Sequence, residues 1–217
     1  MDRPYYKILL VGSSGRGKTY SFRNMDKEKT LFVNVENKPL PFKGNFKNQI
    51  FPTSPAAVLE ALLEGSKNPT IECIVVDSFS AYADLLMAEA KLTKKGYEIF
   101  NHYNSGIGTF NDYVKRVKKE VFVTAHYEII QDEISGSRER RVKCNGKQWE
   151  GVFEKDYTIC LYTEVKATQG KVPEYFFTVM NDGTNSAKCP PDLLGADVLT
   201  IDNDAQLIFN KIQEFVK

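Results

Sequence analysis

The sequence predicts an α/β fold with a mostly parallel central sheet, helices on its faces and antiparallel strands towards the C-terminus. Three observations predict it. Apolar strand-like runs alternate with helix-like segments as far as His126. The runs ending at Asp77 and His126 are almost continuously apolar, as strands covered on both faces require. Beyond them the pattern changes to two strand-like runs on either side of Gly170, which suits an antiparallel hairpin.

Taken in order, Tyr5–Val11 reads as the first strand, followed by a glycine-rich loop and a helix to about Met25. Thr30–Glu36 is the second strand. Asn37–Asn48 carries two prolines and reads as a loop, and Gln49–Phe51 as a short strand. Ser54 and Pro55 open a helix to about Gly65, with serine at the cap and proline in the first turn. Ile71–Asp77 is a central strand. Ser80 to about Lys95 and Gly108–Glu120 read as helices, and Val121–His126 as the next buried strand. Residues 131–151 are polar and charged. Tyr157–Val165 and Glu174–Met180 are strands. Ala205–Val216 closes the chain as a helix, with Leu207, Ile208, Ile212, Phe215 and Val216 on one stripe.

The chain of 217 residues is expected to form one domain with its own core. Its net charge is +1, so any nucleic-acid contact must come from a local patch. Cys73, Cys144, Cys160 and Cys189 form no C-x-x-C pair, and only His102 and His126 could join them, so a zinc site is not expected. Cys73 and Cys160 lie in apolar runs as buried free thiols, which suits the reducing cytoplasm. With no apolar run of about 18 residues, neither a membrane span nor secretion is expected.

The chemistry begins at Val11–Tyr20, VGSSGRGKTY. Gly12, four residues, then Gly17, Lys18 and Thr19 fit the phosphate-binding pattern G-x-x-x-x-G-K-[ST] at every fixed position. Glycines let backbone N–H groups approach an anion, and a helix starting near Gly17 would add its positive end. Gly12, Ser13, Ser14, Gly15, Arg16, Gly17, Lys18, Thr19 and Tyr20 are therefore the expected nucleotide-binding residues. Lys18 reaches the β- and γ-phosphates and Thr19 places its hydroxyl on Mg²⁺. Asp77, closing a strand, is the second metal residue; the alternative is a helix cap. Ser78 stands where many such ATPases carry a catalytic Glu, so Glu36, at another strand end, is the candidate for handling water. His126 closes the next strand.

The order GSSGRGKT, LFVNVE, IVVDS and VFVTAH resembles the RecA/RadA-type P-loop ATPase core. The compact size and the phrases VVDSFSAY and FVTAHYE are most similar to the short phage-encoded RecA-like ATPases of the single-strand-annealing, Sak-type group. The resemblance covers roughly residues 5–190. It implies a RecA-like core that binds and hydrolyses ATP with Mg²⁺, with Glu36 as general base and Asp77 and Ser78 closing the Walker B strand. It implies that His126, where RecA has Gln, senses the γ-phosphate; the alternative is a satisfied strand-end histidine. The implied partners are single-stranded DNA, further copies of the chain in a ring or filament, and a single-strand-binding or annealing protein. The implied process is phage recombination, annealing or replication in the host cytoplasm. Residues 131–151 take the place of a mobile DNA-binding loop, with Arg138, Arg140, Arg141, Lys143 and Lys147 for phosphates and Trp149 for a base. The alternative there is a solvated hairpin whose Trp covers the core. Lys188 or the Arg138–Arg141 cluster would supply a cation to a neighbour's site, the alternative for Lys188 being an exposed loop lysine, and Tyr175 reads as core rather than as a base-stacking platform. Two other functions stay open: a nucleotide-switched interaction module such as a helicase loader, and a small-molecule kinase, which the Asp77–Ser78 ending disfavours.

Overall fold

The computed structural model describes residues 3–131 and 136–217. β1 (Lys7–Val11) is flanked by parallel partners on both sides, which its sequence requires: all five residues, including Lys7, are buried. A 3₁₀ run, Thr19–Asn24, follows the glycine loop. Then come β2 (Thr30–Asn34), β3 (Asn48–Ile50), α1 (Pro55–Lys67), β4 (Cys73–Asp77), α2 (Phe79–Thr93), α3 (Glu98–Arg116) and β5 (Glu120–Ala125). β6 (Tyr127–Gln131) and β7 (Arg138–Val142) form a separate two-stranded ribbon. β8 (Ile159–Lys166), β9 (Glu174–Thr178), α4 (Pro191–Leu194), β10 (Thr200–Asp202) and α5 (Ala205–Phe215) complete the chain.

The eight-stranded sheet runs in the order β10-β9-β8-β1-β5-β4-β2-β3. β3 through β8 are parallel in that order, and β9 and β10 are antiparallel additions. Alternation along the strands divides the core. Leu9, Val11, Val33, Ile74, Val76 and Val123 face α1, α2 and α3, where they meet Val58, Leu62, Tyr82, Ile107 and Phe110. Ile8, Leu10, Phe32, Val75 and Phe122 face the other side, where Phe22, Leu193, Ile208 and Ile212 pack.

Several local readings change. The helix expected after the loop is a six-residue 3₁₀ run, ended where the Asp26 side chain accepts the N–H groups of Glu28 and Lys29. So short a run carries little macrodipole, and an anion held at this loop would depend on loop amides and Lys18 instead. α3 starts ten residues before Gly108, because Tyr103 and Ile107 extend the stripe of Phe110 and Val114. Within the segment read as a mobile loop, Gln131 and Arg138–Val142 are strand. β7 pairs with β6 through Glu128 opposite Arg141 and Ile130 opposite Glu139. Asp132–Ser135 lie outside the described residues. Cys73, Cys144 and Cys160 are buried free thiols.

Candidate functional site

β1, β4 and β5 end at one edge of the sheet, and the loop from Gly12 to Lys18 curls over their tips. Gly15 and Gly17 take φ of +74° and +90°, the left-handed region that glycine enters without penalty. Gly12 does not. Its N–H donates to Ala125 O at 3.0 Å, continuing the β1–β5 ladder, so that amide is not directed at a phosphate. Lys18 is buried, and its Nζ donates to Gly12 O at 2.8 Å and Ser13 O at 3.0 Å. Burial lowers its pKa to about 8, against the upward pull of Asp77 and Glu36.

Asp77 is buried at the tip of β4. Its Oδ2 accepts the Thr19 hydroxyl at 2.8 Å and its Oδ1 accepts the Thr124 hydroxyl of β5. Burial raises its pKa, opposed by the two hydroxyls and by Lys18. The helix-cap alternative falls to Ser78 instead, whose Oγ accepts the Ala81 N–H at 3.2 Å to start α2. The Asp77–Ser78 peptide is cis.

Glu36 lies two residues past β2. Its backbone N–H and that of Val35 both donate to Asp77 O, which fixes it beside the Asp77 carboxylate. Asn37, at φ 52°, then turns the chain so that the Asn34 amide donates to Lys38 O at 2.7 Å and Lys38 folds back. Glu36 Oε1 accepts the Ser78 hydroxyl at 3.1 Å, and Oε2 pairs with Lys38 Nζ at 2.7 Å. Burial pushes the Glu36 carboxyl up, but the Lys38 and Ser78 hydrogen bonds and the Lys38 charge prevail and hold it below the usual range. Two carboxylates, Asp77 and Glu36, are thus moved in opposite directions at one site. His126 has its backbone N–H on Ser80 Oγ at 2.9 Å, and burial together with the Lys18 charge keeps its ring below its ordinary pKa.

These residues frame a cleft of about 460 Å³ lined by Ser14 to Tyr20, Glu36, Lys38, Pro41, His126 and Tyr175. Tyr175, read as core from sequence, is instead a wall of this cleft. Lys38, Thr124 and Tyr175 are positions at this site that sequence reasoning missed. Only Lys38, two residues from Glu36, carried a local signal.

The basic residues are placed elsewhere. Arg140 pairs with Glu164 of β8, and its guanidinium lies 5.3 Å from the Tyr162 ring centre. Arg141 pairs with Glu139 at 2.8 Å. Trp149 packs against the core with its Nε1 donating to Asn104 O at 3.1 Å, so the covering role fits its placement. Lys188 forms a backbone bridge with Cys160 on β8 and does not line the cleft.

Among solved structures, the chain is similar to a KaiC-like protein from the hyperthermophilic archaeon Pyrococcus horikoshii. The two are 13% identical with a TM-score of 0.50, over 80% of this chain and 77% of that one. The RadB recombinase is 12% identical with a TM-score of 0.49, over 85% of this chain and 92% of that one. No curated protein matches. The AAA_24 family, described as an AAA domain, matches residues 4–190. With the P-loop, the Asp77 strand end and the parallel sheet in place, the chain belongs to this AAA-domain ATPase family and has a RecA-like fold.

Proposed function

We propose that the protein is a Mg²⁺-dependent ATPase whose turnover is tied to single-stranded DNA in recombination, annealing or replication. The observation that carries it is the convergence of Lys18, the Thr19–Asp77 pair and Glu36 on one loop. A threonine hydroxyl and a buried carboxylate fit Mg²⁺, which keeps water and phosphate oxygens as its other ligands. Bound there, the ion would neutralise charge on the transferring phosphoryl group. Lys18 and the loop amides hold the phosphates. Glu36, kept ionised by Lys38 and Ser78, accepts the proton of the attacking water. The uncharged His126 ring stands beside the loop, where a γ-phosphate contact would be relayed to the ribbon that follows it.

The DNA part of the reading rests on the family resemblance and on Arg138, Lys143 and Lys147. In a ring or filament, this ribbon or Lys188 would bring a cation to a neighbour's phosphates. One observation favours the second reading, a nucleotide-switched interaction module: two of the five basic side chains, Arg140 and Arg141, already pair with carboxylates.

ATPase rates of wild-type and Glu36→Gln protein, with and without single-stranded DNA, test both. Stimulation by DNA and a loss of about 10²–10⁴ in turnover with retained Mg-ATP binding is the expected outcome. Turnover indifferent to Glu36→Gln refutes the base. Stimulation by a protein partner alone favours the module.

A further inference from the structure

The cleft has a direction. The carboxylates of Glu36 and Asp77 come from β2 and β4, on one side of β1 in the sheet. β9 and β10 lie on the other side, beyond β8. Because β9 is antiparallel to β8, its beginning reaches the same edge as the P-loop, with Tyr175 opposite Val165. β10 reverses again, so the residue after it, Asn203, also arrives at that edge. If the γ-phosphate faces Glu36, the rest of a nucleotide extends towards Tyr175 and Asn203.

That end is built for a flat polar ring. The Tyr20 and Tyr175 rings are 6.0 Å apart between centres and tilted by 46°. Arg23 lies 4.5 Å over the Tyr20 ring and donates to Asn203 O at 2.5 Å, tying the two segments together. The Asn203 side chain sits against the loop: a Cβ on Gly17 would meet its Oδ1 at 3.2 Å, its Nδ2 at 3.4 Å and Tyr175 Cδ1 at 2.8 Å. Asn203 is 2% exposed, yet neither Oδ1 nor Nδ2 has a hydrogen-bond partner among the described residues. Buried amides are normally paired on both atoms, so an amide orphaned on both is an exception that asks for a partner.

We propose that Tyr20, Tyr175 and Asn203 form the base subsite of the nucleotide cleft and select adenine. This rests on the P-loop reading above. Tyr175, whose ring edge lies with the Asn203 amide around one point above Gly17, turns to stack on the base, as aromatic rings do with any nucleobase. Asn203 then accepts from the adenine amino group and donates to the ring nitrogen N7. An amide offers one acceptor and one donor side by side, the complement of the N6/N7 edge of adenine; on that same edge the N7 and O6 of guanine are both acceptors.

The test is equilibrium binding of Mg-ATP, Mg-GTP and inorganic tripolyphosphate to wild-type, Tyr175→Ala and Asn203→Leu proteins, each checked by its melting temperature. Asn203→Leu replaces an unpaired amide with an apolar side chain of similar size, so it is expected to fold. It should lower the ATP-over-GTP preference about tenfold or more, leaving tripolyphosphate affinity unchanged. Tyr175→Ala should weaken both nucleotides and spare tripolyphosphate. An unchanged ATP-over-GTP ratio in Asn203→Leu, or equal losses for tripolyphosphate, overturns the base subsite while leaving the P-loop reading intact. Wild-type protein that binds none of the three overturns both.

Discussion

Gly12→Ala asks what the first glycine of the loop is for. Its φ lies outside the left-handed region and its N–H is committed to Ala125 O, so neither turn geometry nor a phosphate contact demands glycine. Space does. A Cβ there would lie 1.9 Å from Thr163 Oγ1 and 3.2 Å from Thr163 Cβ. Thr163 is 2% exposed on β8, and its hydroxyl donates to Val11 O at 3.3 Å, so it has little room to turn away. Overpacking of this kind costs ~1–3 kcal/mol. At roughly 2–4 °C per kcal/mol for a chain of this size, a central ~2 kcal/mol lowers the melting temperature by about 6 °C. Thr163→Ala removes the colliding oxygen and loses only one weak hydrogen bond. The double variant should therefore be more stable than the two single effects predict, by at least ~1 kcal/mol. Thermal or urea denaturation of the four proteins measures this coupling. Additivity within ~0.5 kcal/mol refutes the steric account. Mg-ATP binding by the double variant should remain near that of the wild type; a large drop in affinity would restore Gly12 to the groups that hold the phosphates.

Three further outcomes rest on the same structure. Burial holds Lys18 at about 8, below the 10.5 of an exposed lysine. Between those values the unfolded chain holds the proton and the folded one does not, so the penalty for burying this ammonium is complete below pH 8 and fades as pH rises to 10.5. Phosphates beside Nζ favour the charged form, so Mg-ATP binding at about pH 9 should take up protons. Calorimetry in two buffers of different ionisation heat reads this, and a buffer-independent heat refutes it. On the ribbon, Arg140→Ala should cost stability through Glu164 but leave the salt dependence of single-stranded DNA binding nearly unchanged. Neutralising Arg138, Lys143 and Lys147 should flatten that dependence by about one unit of slope for each DNA phosphate left without its cation; an unchanged slope rejects this face for DNA.

β1, β2, β4 and β5 were legible because each is a short, mainly apolar run that must be covered on both faces. The loop was legible because its fixed positions are adjacent in sequence, and Asp77 and Glu36 because polar residues closing apolar strands stand out. Tyr175 and Asn203 were not. Tyr175 reaches the loop through one reversal of direction after β8 and Asn203 through two, and nothing near them in sequence records where a strand will lie. β6 and β7 were hidden for another reason. Their pairing uses opposite charges across the ladder, as with Glu128 and Arg141, so the segment lacks the apolar alternation that marks a strand. The length of α3 was missed because Asn101, Asn104, Ser105 and Gly106 dilute its first turns with weak helix formers.

The two outermost strands of the sheet, β3 and β10, are only three residues long. Each offers a would-be neighbour no more than a few unpaired backbone groups, too few to template a continuous ladder between molecules. Side-by-side joining at these two edges is thus poorly supported, and copies of this chain that associate there would do so through side chains. Such association would then respond to charge and to salt, and single surface substitutions should be enough to separate the copies.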